Sequence, residues 1–148
     1  MKFSAFGILM NNFTWNVSGG VMLPEIDFKK TEHWLEKVAR NHGYLIGDLN
    51  YTFCSDVEIL RVNREFLNHD YFTDIITFDR SLRGIVRGDI FISLDTVASN
   101  AEELKQDYMR ELFRVIVHGL LHLCGINDKG PREREIMEAH ENSALNEL

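Results

Sequence analysis

The sequence predicts an α+β fold: a single domain in which a mixed sheet of about four strands is covered by about five helices. Three observations carry this. Four short segments alternate apolar and polar residues as half-buried strands do, and amphipathic stretches with helical spacing lie between and after them. Strand and helix do not alternate strictly, because two strands adjoin and three helices close the chain. At 148 residues the chain has the length of one domain, enough to bury roughly two-thirds of its unfolded surface.

Phe13–Val17 alternates and is broken by Ser18-Gly19-Gly20. Thr31 is the expected cap of a helix over residues 31–41, with Trp34, Leu35 and Val38 inward and His42-Gly43 ending it. Residues 49–53 read as the second strand. Ser55 and Glu58 form a capping box that opens a helix through about Leu67. Residues 74–78 and 88–93 read as two further strands, joined by a loop carrying Arg80, Arg83 and Arg87. Asp95 or Ser93 is expected to cap a helix across residues 97–108. Another helix follows over about residues 109–124. A last helix starts near Pro131, a residue suited to a first turn, with Ile136, Met137, Ala144 and Leu145 facing the core.

Composition is ordinary for a globular protein, with 45% hydrophobic and 26% charged residues. No apolar run reaches about 18 residues, so no membrane span or membrane partner is expected. Residues 1–10 are apolar but lack a small-residue cleavage site, which argues against a signal peptide. Met10 is an alternative start, and residues 1–21 include an extension outside the domain proper. Cys54 and Cys124 read as free thiols of a reducing, cytoplasmic compartment. The net charge of −7 suits bulk phosphate binding poorly, although Arg110, Arg114, Lys129 and Arg132 bracket the segment that matters most.

That segment is His118-Gly-Leu-Leu-His122-Leu-Cys-Gly125-Ile-Asn-Asp128. Histidines four apart project from one helix face, since 3.6 residues per turn stacks i over i+4. Gly125 then stops the helix, and the turn beyond it can return Asp128 to the same face. Two imidazoles and one carboxylate make a three-ligand site for one divalent metal, with a position left open to water. Zinc is the first expectation and nickel the second. Gly119 stands where zinc peptidases place their glutamate base, which argues against a peptidase.

These residues, with Asn63, Thr73-Asp74-Ile75-Ile76-Thr77-Phe78 and Gly88-Asp89-Ile90-Phe91-Ile92-Ser93, resemble the ordered motifs of the YbeY family. The likeness runs from about Pro24 to the C-terminus. It implies a small α+β fold, a zinc-like metal, and a single-strand-specific endoribonuclease acting in small-subunit ribosomal RNA maturation. Two departures stand out. The family's third metal-binding histidine falls on Asp128, a harder oxygen ligand, and the family's arginine after its Leu-Asn pair falls on Leu67.

The expected partners are ribosomal RNA and small-subunit ribosomal proteins, with no DNA. His69, Asp70, Asp74 and Arg64 are candidates for proton transfer or substrate orientation, and Arg110, Arg114, Lys129 and Arg132 for phosphate contact. A ribosome assembly factor with a structural metal, and a metal-dependent hydrolase of another substrate, are the competing expectations.

Overall fold

A computed structural model describes residues 12–71 and 73–148; the reading of residues 1–10 lies outside them. In chain order the elements are β1 (Phe13–Val17), α1 (Phe28–Asn41), β2 (Leu45–Cys54), α2 (Asp56–Leu67), β3 (Ile75–Asp79), β4 (Ile85–Ser93), α3 (Leu94–Glu103), α4 (Tyr108–Leu123) and α5 (Pro131–Leu145). The sheet runs β1-β2-β4-β3, with β1 parallel to β2, β2 parallel to β4, and β3 antiparallel to β4. The predicted α+β class holds, as do four strands and five helices among the described residues. Among the described residues no helix is long and apolar enough to cross a membrane.

Period-2 alternation divides the sheet between two cores. Leu49, Tyr51 and Phe53 of β2 and Ile90 and Ile92 of β4 join Leu35 of α1 and Leu112, Ile116, Leu120 and Leu121 of α4 in the larger one. Cys54 and Ile76 point the other way and meet Ile59 and Val62 of α2 in the smaller. Tyr51 is fully buried, and its hydroxyl donates to the Ile116 carbonyl at 2.8 Å, tying α4 to the sheet. The indole of Trp34 donates to the Ala144 carbonyl at 2.8 Å and so ties α5 to α1. Both cysteines are free and buried, as expected.

Several boundaries move. Helix α1 begins at Phe28 rather than Thr31, because the Asp27 side chain accepts from Lys30 N at 3.0 Å; the Thr31 hydroxyl instead donates to the Asp27 carbonyl. Ser93, not Asp95, caps α3, and the Asp95 carboxylate accepts from Asp56 N. Helix α3 stops at Glu103 rather than at 108, where Lys105 adopts a left-handed φ of 54° and Asp107 caps α4. Strand β2 starts four residues before position 49, at Leu45, and β4 starts at Ile85 rather than 88.

Candidate metal centre

Helix α4 is apolar along the face it presses on the sheet, burying Leu112, Val115, Ile116, Gly119, Leu120 and Leu123. Gly119 permits the close approach. A Cβ there would stand 2.9 Å from Ile90 Cδ1 and 3.0 Å from Ile75 Cδ1. Packing is therefore the role the structure gives Gly119. The contact sets His118 and His122, both half-buried, beside the edge strand β3.

The helix ends in a Schellman motif. Gly125, at a φ of 91°, donates its N–H to His122 O at 3.0 Å, and Ile126 donates to Leu121 O at 3.1 Å. This reversal carries Asp128 back over the helix end. His118, His122, Asp128, Thr73, Asp74, Ile75 and Thr77 line one cavity of about 380 Å³. The two histidines and the aspartate thus meet on one surface, with Asp74 beside them.

His118 is held at both nitrogens. Nδ1 lies 2.6 Å from Glu141 Oε2, and Nε2 lies 3.1 Å from Asp128 Oδ2. A carboxylate can only accept, so Nδ1 donates to Glu141, and in the neutral ring the lone pair of Nε2 then faces a second carboxylate. Two acceptors at this distance need a proton or a cation between them. The first answer is open to His118: burial pulls its pKa down, but Glu141, Asp128 and Asp74 together hold it above the ordinary histidine value. The second is a metal ion. Donors about 2.0–2.2 Å from one tetrahedral ion sit roughly 3.3–3.5 Å apart, close to the separation observed. Among the described residues no group of three His, Cys, Asp or Glu side chains is placed so as to hold a metal ion, although two imidazoles and a carboxylate on one cavity wall are donors of the kind a divalent cation takes.

Asp74, partly buried, lines the same cavity. Burial raises its carboxyl above the usual aspartate range, His118 opposes this, and Glu141 and Asp128 add to it. The other residues proposed alongside it lie elsewhere. Arg64 and Asp70 form an exposed ion pair, His69 Nδ1 sits 2.9 Å from the Tyr71 hydroxyl, and none of these three lines the cavity. Arg110 is exposed in the first turn of α4, about 12 Å along the helix from His118. Lys129 and Arg132 are exposed on either side of the α5 start, one and four residues after Asp128. Arg114 is partly buried and committed to α5: Nη1 meets Glu141 Oε1 at 2.9 Å and Nη2 donates to Asn142 Oδ1 at 2.8 Å. Leu67 closes α2 partly exposed, so no guanidinium occupies that position.

Sequence reading missed Glu141. Its signal was there: Met137, Ala144 and Leu145 are the buried apolar stripe of α5, Ile136 being exposed rather than core-facing, and Glu141 falls on that stripe at helical spacing.

The chain is similar to known proteins over most of its length. It is 61% identical over 126 residues to a Phocaeicola vulgatus protein called Endoribonuclease YbeY, covering 85% of this chain and 91% of the relative. A protein of the same description from Parabacteroides distasonis is 58% identical, covering 84% and 88%. One from Porphyromonas gingivalis is 49% identical, covering 85% and 83%. The solution structure of a Thermotoga maritima protein matches with a TM-score of 0.64 at 24% identity, over 91% of this chain and 90% of that one, which supports the fold. The family model described as Endoribonuclease YbeY matches residues 23–148, and the chain belongs to that family.

Proposed function

We propose that this protein is a metal-dependent endoribonuclease that hydrolyses phosphodiesters of single-stranded RNA in the maturation of small-subunit ribosomal RNA. The observation that carries the reading is the convergence of His118, His122 and Asp128, from one helix and the turn after it, on a cavity that also holds Asp74. Relatives at 49–61% identity are named as endoribonucleases, which supports the reaction class.

His118, His122 and Asp128 would hold the ion, zinc first and nickel second, since two imidazoles suit both. When bound, such an ion lowers the pKa of water towards about 7 and polarises a phosphoryl oxygen. Asp74, whose carboxyl burial raises above the usual aspartate range, would take the proton that water loses on attacking phosphorus. The P–O bond to the leaving nucleoside oxygen breaks, and that oxygen takes up a proton. Lys129 and Arg132, exposed within four residues of Asp128 in the chain, are suited to phosphates flanking the scissile one. Buried free Cys54 and Cys124 accord with the reducing cytoplasm in which ribosomes are assembled.

The test is cleavage of single-stranded RNA by metal-loaded protein beside a His118→Ala variant. Cleavage by the parent alone is expected. Equal cleavage by both would overturn the nuclease reading. Tight binding to small subunits without turnover would favour an assembly factor, a role for which the net charge of −7 suits docking on basic ribosomal protein.

A further inference from the structure

We infer that Glu141 is the positioning residue of the metal centre, fixing the tautomer and orientation of His118 from α5, and that Arg114 holds Glu141 in turn. The inference rests on the proposed metal site but concerns residues behind it. Glu141 is 7% exposed on an otherwise apolar helix face, where a carboxylate persists only if paired. Both its oxygens are used: Oε1 meets Arg114 Nη1 at 2.9 Å, and Oε2 meets His118 Nδ1 at 2.6 Å. With Nδ1 donating, Nε2 is the nitrogen left for the cavity and Asp128.

Arg114 lies one helical turn before His118 on α4 and spans two adjacent α5 residues, Glu141 and Asn142. Its fork locks the rotation of α5 against α4, so the carboxylate arrives at His118 in one geometry. Glu111 Oε1 stands 4.0 Å behind the Arg114 Nε and has no hydrogen-bond partner among the described residues. Arg114 thus serves the centre from behind rather than gripping substrate. A carboxylate on the far nitrogen of a ligating histidine orients the ring and raises its basicity.

The test uses the full chain. Ring-nitrogen chemical shifts of His118 are measured in metal-free, ¹⁵N-labelled protein at alkaline pH, and zinc affinity is measured by competition with a chelator. The parent should show the Nδ1–H tautomer. Glu141→Ala should move the proton towards Nε2 and weaken zinc binding by about 10–100-fold. Glu141→Gln keeps the volume and an acceptor oxygen; it should fold, retain the tautomer, and bind zinc roughly tenfold more weakly. Parental zinc affinity in Glu141→Gln, or a parental tautomer in folded Glu141→Ala, would overturn the inference. Absence of zinc binding by the parent would sink the metal site itself, and the tautomer would then decide the role of Glu141 alone.

Discussion

Asp128 Oδ2 lies 3.1 Å from His118 Nε2, although a helix end and a glycine turn separate the two in the chain. The contact turns a bare histidine pair into a three-donor surface. It also puts oxygen where the resemblance to the family leads one to expect a third imidazole nitrogen. Asp128→Ala should lose bound metal. Asp128→His should keep it and shift preference towards zinc and nickel over manganese, as nitrogen replaces a hard oxygen. Competitive binding of zinc and manganese to the variants measures this; an unchanged preference in Asp128→His would contradict it.

Gly119 lets α4 press against Ile90 and Ile75, and an added methyl would stand 2.9–3.1 Å from their carbons. Overpacking of this kind costs about 1–3 kcal/mol, while alanine returns about 1 kcal/mol of helix propensity. Gly119→Ala should therefore destabilise the protein by about 1 kcal/mol. Urea unfolding checks it. A variant more stable than the parent would mean that the helix stands further from β3 than described.

These two positions also show what could be read in the sequence. Signals confined to a few neighbouring residues were legible: the Ser55 cap of α2, the Gly125 stop, and Pro131 at the first turn of α5 stand as expected, although only half of the capping box forms, since the Glu58 carboxylate turns to Ser18 and Arg61. Helix α1 starts early because Phe28 to Lys30 break the apolar pattern while Asp27 still supplies a cap. The gap between α3 and α4 went unread because neither glycine nor proline marks it; Lys105 makes the left-handed turn instead. At the site, spacing brought out the histidines and Asp128, which lie within eleven residues of one another. Glu141 comes from a separate helix, and among the solvated glutamates of α5 only its phase with Met137 and Ala144 sets it apart.

Glu111 is 4% exposed, and burial raises its carboxyl above the ordinary value; Arg114 opposes this, and Asp74 and Glu141 add to it. A folded-state pKa above the unfolded value of about 4.3 means a contribution present below that pH. It is lost as pH rises through the folded value. Glu111→Gln removes the loss. The gap in melting temperature, variant minus parent, should open as pH is raised from strongly acidic to neutral. A gap that closes with rising pH would contradict the buried, poorly compensated carboxyl.

Leu67, at the end of α2, is 37% exposed and stands where the resemblance to the family leads one to expect an arginine. Leu67→Arg adds one cation on that surface. If the added guanidinium reaches a phosphate, the salt dependence of single-stranded RNA affinity should steepen by about 0.7 in log–log slope. Affinity measured across a salt series checks it, and an unchanged slope would place this helix end outside the RNA path.

The metal is the centre of the account, and its content in the purified protein tests it most directly. Elemental analysis of protein prepared without added metal should find about one equivalent of zinc or nickel per chain, and close to none in His122→Ala. A parent free of metal, or a His122→Ala variant that keeps its full equivalent, would contradict it.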